Sequence, residues 1–413
     1  MKISITTPTH NPKFLIELWE TIKNQTHDDW EWIIVFNNGA KPPKELFTDD
    51  RFIHRLKIFE TPYGIKSVGA LKKYACDQAT GEAIIEVDHD DLLTENCLAK
   101  VAEEFSYNAE IGFVYSDNAK LGTFTPYGEN YGWKHGTFDY KGQTLPAPIS
   151  FEPSAASFAF IWYMPDHLRA WRTSVYKEIG GHNPEREILD DQELLIRTYL
   201  KTKIKKIDEV LYIYRITGDN TWIERNAKIQ IETVELYKQN AYALAERWAE
   251  LEGLDKIDLG GGFNCPAGYK SIDLAGADIT ANLSKGIPLP DNSVGIIRAH
   301  DFLEHIADKQ FMMSEIHRVL ADGGWALISV PSTDGRGAFQ DPTHISYWNE
   351  NAFWYWTRKE LAQYIRNDKI KFQEFRLETI FPSEWYKQNN ISYVVANLAA
   401  IKSDKRRPHL QLI

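Results

Sequence analysis

Ala83-Ile84-Ile85-Glu86-Val87-Asp88-His89-Asp90-Asp91 is an apolar run that breaks into a cluster of carboxylates. A run of this kind reads as a strand buried on both faces, and in a parallel α/β sheet the loop leaving the strand's carboxyl end is where ligands bind. Two carboxylates one residue apart on such a loop offer hard oxygen ligands to Mg²⁺ or Mn²⁺ and leave positions open for phosphate. The same acids suit a helix N-terminus ahead of Leu92-Leu93, since aspartate caps free amides and the helix dipole favours negative charge.

The flanking sequence narrows the choice. Residues 3–6 read as a strand, 12–24 as a helix, and 30–36 as a second strand ending at Asn37-Asn38-Gly39. Residues 68–80 are amphipathic at helical spacing, with Ala70, Leu71, Tyr74 and Ala75 on one side and Lys72 and Lys73 on the other. This β-α-β-α-β order predicts a parallel sheet covered on both faces. Farther on, Ile229, Thr233, Leu236, Ala243, Leu244 and Trp248 recur at helical spacing, so a long helix is expected over residues 222–253. It would link a first domain, 1–221, to a second, 254–413.

A chain of 413 residues suits two domains, and 43% hydrophobic with 25% charged residues is a globular composition. No basic, apolar leader opens the sequence and no segment has the length and apolarity of a membrane span. Cys76, Cys97 and Cys265 are scattered, as expected of reduced thiols in a cytoplasm. A net charge of -11 disfavours a nucleic-acid partner. The oligomeric state is not legible.

Ile5-Thr6-Thr7-Pro8-Thr9-His10-Asn11-Pro12, the second strand with Asn37-Asn38-Gly39, residues 81–91, and Leu189-Asp190-Asp191-Gln192-Glu193-Leu194 together resemble the family 2 glycosyltransferases of the GT-A fold. The resemblance implies a nucleotide-sugar donor and a glycan or other hydroxyl-bearing acceptor. It implies a divalent metal, Mn²⁺ or Mg²⁺, held by Asp88 and Asp90 with Asp91 in support, and it makes Asp191 the catalytic base. Donor-binding positions would be Thr7, Pro8, Thr9, Asn37, Lys66, Gly69 and Lys72, with Asp88 and Asp90. Asp190 would face the acceptor. This chain departs from the pattern at Asn37, where relatives carry Asp, and at Thr217, where relatives carry a metal-reaching His. His167 either substitutes for that His or is structural. Residues 115–171 suit neither regular helix nor strand and are rich in aromatics, so they are expected to form the acceptor region, with Trp133 and Trp162 stacking on sugar.

In the second half, Asp258-Leu259-Gly260-Gly261-Gly262 reads as a strand end and glycine turn, and Asp273 closes the next strand, placed to accept from ribose hydroxyls. With residues 287–293, Phe302-Leu303-Glu304-His305-Ile306 and residues 318–324, this order is similar to class I S-adenosylmethionine-dependent methyltransferases of Rossmann-like fold. The resemblance implies an S-adenosylmethionine site at Asp258, Gly260, Gly261, Gly262, Asp273, Glu304 and His305. The helix usually following the glycine turn has no room here. His344 is a general base for a sugar hydroxyl or a loop brace, and Trp348, Phe353, Trp354 and Trp356 are expected to form a small core.

The expectation is therefore a bifunctional enzyme: a metal-dependent inverting glycosyltransferase followed by a domain that O-methylates the glycan or a related acceptor. One alternative leaves the second domain as a noncatalytic scaffold. Another is a phage-type DNA-base glycosyltransferase, which the negative charge disfavours.

Overall fold

The computed structural model describes residues 1–128, 131–161, 164–218, 225–367 and 369–405. It divides into two compact units at Asn240/Ala241, a division that falls inside the helix Asn226–Leu251. Among the described residues no helix is long and apolar enough to cross a membrane.

The first unit is built on eight strands: β1 (Ile3–Thr9), β2 (Trp30–Phe36), β3 (Leu56–Glu60), β4 (Ala83–Glu86), β5 (Leu92–Leu93), β6 (Ile111–Leu121), β9 (Arg169–Arg172) and β10 (Lys203–Arg215), with β7 (Lys134–Tyr140) and β8 (Gln143–Ile149) forming a separate hairpin. Their order is β3-β2-β1-β4-β9-β6-β10-β5; β3, β2, β1 and β4 run parallel, and β9 lies antiparallel between β4 and β6. Parallel strands covered on both faces are mostly apolar, and β2 and β4, each with one buried glutamate, are buried along their whole lengths. Trp32 stacks on Trp19 of the helix Leu15–Lys23 at 5.4 Å, which seals one face.

Gly81 brings the start of β4 against β1. A Cβ there would stand 2.7 Å from the Lys2 carbonyl oxygen and 2.8 Å from the Ser4 nitrogen, so backbone would have to move. Gly81→Ala is therefore expected to cost about 1–3 kcal/mol, as overpacking does, and to lower the urea midpoint with activity retained in the folded fraction.

Residues 115–171 are more regular than their composition suggests. Most of β6 and the β7/β8 hairpin lie within them, the hairpin turning at Lys141-Gly142, both with positive φ (49° and 80°). That is the two-residue turn that matches strand twist. Pro146 and Pro148 disguise β8, a strand of a two-stranded pair.

The second unit has seven strands: β11 (Asp255–Leu259), β12 (Lys270–Asp273), β13 (Ile279–Thr280), β14 (Val294–His300), β15 (Leu320–Pro331), β16 (Lys371–Ile380) and β17 (Tyr393–Ile401). Their order is β13-β12-β11-β14-β15-β17-β16, with β17 antiparallel to its neighbours. The order reverses between β11 and β14, the crevice where open α/β sheets take ligands. Only a 3₁₀ turn, Gly262–Asn264, and a short loop join β11 to β12. Trp348, Phe353 and Trp356 are buried in this unit's core.

Candidate functional site

Asp88-His89-Asp90-Asp91 leads into β5, a strand, so the helix-cap reading of the cluster does not hold. Asp91 is buried and anchors the loop: its Oδ2 accepts from the Tyr212 hydroxyl at 2.7 Å and its Oδ1 from the Arg215 amide at 2.6 Å. Arg215 Nε also donates to the Asp90 carbonyl at 2.7 Å. With the loop tied to β10 from below, Asp88 and Asp90 stay partly exposed, and among the described residues neither forms an ion pair with Lys or Arg. Burial and the Asp88 charge push the Asp90 carboxyl above its ordinary range; burial, Asp88 and Asp90 do the same to Asp91. Uncompensated carboxylates on one loop fit a divalent cation.

Two orphaned polar atoms mark the neighbouring strand ends. Thr9 Oγ1 and Asn37 Oδ1 are buried without a hydrogen-bond partner, and the Asn37 amide donates to the Thr9 carbonyl at 2.9 Å. Pro8 is half-buried beside them, and Lys66 is exposed on the loop before the helix Val68–Asp77. Two expected donor residues are placed otherwise. Thr7 is fully buried, its hydroxyl accepting from Trp32 Nε1 at 2.9 Å, so its side chain belongs to the core. Gly69 lies under the 183–186 turn, where a Cβ would meet the Asn183 carbonyl oxygen at 2.1 Å; it serves close packing.

Asp190 and Asp191 open the helix Asp190–Lys201, and their environments differ. Asp190 is buried with its Oδ2 3.2 Å from Lys72 Nζ, so it faces that lysine and not an acceptor. Asp191 is more open and takes a 2.7 Å hydrogen bond from Arg169 Nη1, while Arg169 Nε donates to the Pro165 carbonyl at 2.7 Å. Burial raises the Asp191 carboxyl, but the charges of Arg169 and Lys72 outweigh it and hold it below its ordinary range. Burial likewise favours neutral Lys72, yet the charges of Asp190, Glu86, Asp88 and Asp191 hold it protonated. One ammonium thus interacts with the metal-type loop and with the later acidic pair.

His167 is buried, its ring stacked on Tyr212 at 4.9 Å, with Nε2 3.9 Å from Asp88 Oδ2. Trp133, expected to stack on sugar, is 7% exposed and packs against Tyr127 and Phe151 at 4.6 and 4.8 Å; it is core. Trp162 lies outside the described residues. Tyr212, Arg215 and Arg169 were not visible as site residues in the sequence, because each acts through a partner 22 or more positions away.

Beneath the site, His182 Nε2 lies 2.9 Å from Glu86 Oε1, both buried. Burial disfavours the imidazolium, but the Glu86 charge wins and raises His182 to about 10. The native state therefore binds this proton more tightly than the unfolded chain. The pair's contribution is complete below about pH 6.5 and is lost as pH rises towards about 10. Urea midpoints of wild type and His182→Gln are expected to differ most near pH 6 and to converge by pH 10; a constant gap would exclude the charged pair.

In the second unit the glycine turn sits between two carboxylates. A Cβ on Gly261 would lie 2.1 Å from Asp258 Oδ2 and one on Gly262 3.1 Å from Asp273 Oδ2, while Gly260, at φ 72°, packs against Phe302. Asp258 is fully buried and accepts from Arg298 Nη1 at 2.7 Å, so it props the turn from beneath; that corrects its expected place in the cofactor contact. Asp273 is half-buried and remains placed at the rim. Glu304 and His305 form the 3₁₀ turn Leu303–His305 after β14, and His344 comes to them from a separate loop, Nε2 3.9 Å from Glu304 Oε1. Burial pushes Glu304 up to about 7.

Residues 4–179 match the family model for glycosyl transferase family 2. The amino-terminal unit is a family 2 glycosyltransferase domain. The match includes the Asp88–Asp91 loop and ends before Asp190-Asp191. Residues 265–328 match a methyltransferase domain, starting beyond the glycine turn. The glycosyltransferase YwdF of Bacillus subtilis, itself uncharacterized, is 26% identical over 239 residues, 55% of this chain and 80% of that protein. The uncharacterized protein y4gI of Sinorhizobium fredii is 23% identical over 238 residues, and the chain spans only 24% of its length. Among solved structures, S. aureus TarS has a TM-score of 0.44 at 17% identity over 61% of this chain and 43% of that one.

Proposed function

We propose that the glycosyltransferase domain moves a sugar, with inversion and with the help of a divalent metal, from a nucleotide diphosphate to an acceptor hydroxyl. The observations that carry this reading are the Asp88–Asp91 loop, tied to β10 with Asp88 and Asp90 left partly exposed, and Lys72, whose Nζ lies 3.2 Å from Asp190 Oδ2 at the helix start. On this reading donor and acceptor chemistry share one site of the amino-terminal unit. Asp88 and Asp90 would hold Mn²⁺ or Mg²⁺, which when bound neutralises charge on the departing diphosphate. Thr9 and Asn37 offer unpaired acceptors to a nucleobase. Asp191, ionised by Arg169 and accessible, takes the proton of the attacking hydroxyl. A single attack from the face opposite the diphosphate inverts the anomeric centre. A panel of sugar nucleotides with Mn²⁺ is expected to raise the melting temperature for the true donor only, since ligands of the native state stabilise it. No shift with any donor, and no nucleoside diphosphate released in a turnover assay, would sink the proposal.

For the methyltransferase domain we propose S-adenosylmethionine binding at Gly260–Gly262 and Asp273, with transfer of its methyl group to an oxygen of the glycan or a related acceptor. The crevice beside β11 and the Asp273 carboxylate at the glycine turn support it. Failure of the chain to bind S-adenosylmethionine by calorimetry would reduce this domain to a scaffold. On the sequence boundaries, we take 1–221 and 254–413 as the two catalytic domains.

A further inference from the structure

The turn after β14 and the loop 341–346 enclose a cavity of about 210 Å³ whose lining, among the described residues, includes Asp301, Glu304, His305, Asp341 and His344 and no lysine or arginine. The loop is pinned over the turn by two backbone hydrogen bonds, from Ile345 and Ser346 to the Glu304 carbonyl, both 2.9 Å. Glu304 is 2% exposed, and among the described residues neither carboxylate oxygen has a hydrogen-bond partner. A buried carboxylate left so costs several kcal/mol unless it is neutralised or paired.

The neighbours supply ligands and no positive charge. His344 Nδ1 is 3.0 Å from the Ala338 carbonyl oxygen. A carbonyl only accepts, so Nδ1 carries the hydrogen and the Nε2 lone pair is free. That Nε2 is 3.9 Å from Glu304 Oε1 and 3.9 Å from Asp341 Oδ2. Asp341 Oδ1 is held by the Thr343 amide and hydroxyl at 2.8 and 2.7 Å, which leaves Oδ2 towards His344. Imidazole and carboxylate each oriented by a hydrogen bond on the far atom is the outer-shell arrangement of metal sites. His305 packs edge-on against His344 at 5.1 Å, and one ligand atom each of Glu304, His305 and His344 lie within 4.8 Å of one another.

We infer that this pocket of the second unit is a binding site for a first-row transition dication, such as Zn²⁺, held by Glu304, His305 and His344 with Asp341 as a fourth ligand. The mixed nitrogen and oxygen donors select that class over Mg²⁺ and Ca²⁺, which take oxygen alone. Bonds of about 2.0–2.1 Å require ligands about 3.3 Å apart, so shifts of at most about 1.5 Å bring Glu304, His305 and His344 onto one ion, with Asp341 Oδ2 approaching from the His344 side. The site stands on geometry and does not depend on methyl transfer. It does redefine His344: a lone pair given to a metal is not available to a proton, so His344 is a ligand and not the general base.

The test uses the full chain carrying Asp88→Asn and Asp90→Asn, which silences the amino-terminal cluster, stripped with a chelator and titrated with Co²⁺. One Co²⁺ per chain is expected, with visible absorption of an imidazole-ligated ion. Adding Glu304→Gln, or separately His305→Gln on the more open side, is expected to weaken binding at least 100-fold, with circular dichroism confirming the fold. No Co²⁺ uptake by the folded parent, or uptake unchanged by Glu304→Gln, overturns the inference. Either result leaves the glycosyltransferase proposal untouched, because the wild-type chain reports on Asp88 and Asp90 separately.

Discussion

Asp90→Ala is expected to cut sugar transfer by roughly 10²–10³-fold or more while leaving the protein at least as stable. The loss is that of removing one preorganised stabiliser of developing charge. The stability follows from electrostatics: burial and Asp88 hold the Asp90 carboxyl above its ordinary range, so the native state disfavours its charge near neutral pH, and removing the group without metal present relieves repulsion. Nucleoside diphosphate release measures the first effect and a metal-free melt the second. Transfer at wild-type rate would remove Asp90 from the metal assignment; collapse of the melt would make it structural.

Arg169→Ala is expected to be the most damaging single change to folding. Arg169 is 1% exposed, bonded to Asp191 and the Pro165 carbonyl, and near the charges of Asp166 and Glu86. Deleting it leaves buried negative charge uncompensated, at a cost of about 3–5 kcal/mol. Arg169→Lys keeps the charge without the planar fork and is expected to fold with a smaller loss. In that variant Asp191 is held less firmly ionised, so the acid limb of the transfer profile is expected to move to higher pH. An unmoved limb with a normal urea midpoint would separate Asp191 from proton removal.

The parallel strands were legible because burial on both faces demands continuous apolar runs, and 30–36 and 83–87 are such runs. The glycine turn was legible from its three consecutive glycines and Asp273 from its place in the methyltransferase-like order, although the strands before them, β11 and β12, are mostly polar. The hairpin of 134–149 was hidden because β7 has no buried residue to give an apolar pattern and β8 carries two prolines. At the proposed site, Asp88 and Asp90 could be singled out from their spacing and Asp191 from the family resemblance. Thr7 and Trp133 were misplaced because the type of residue does not say which face it takes. Arg169, Tyr212 and Arg215 stayed invisible since the carboxylates they bind are remote in sequence. His167 could be singled out, but its burial against Tyr212 and its approach to Asp88 depend on residues remote in sequence.

The anchoring of Asp91 by Tyr212 and Arg215 sets a schedule for the nascent chain. The loop leaves the ribosome more than 100 residues before the strand that secures it, with pairing separations of 121 and 124. Contacts so distant in sequence carry a loop-closure cost that makes them late events in folding. Until β10 inserts beside β6, the acidic loop lacks the partners that fix its shape. Termination between residues 180 and 202 would yield a fragment containing every residue of the family match and none of the strand that anchors the acidic loop.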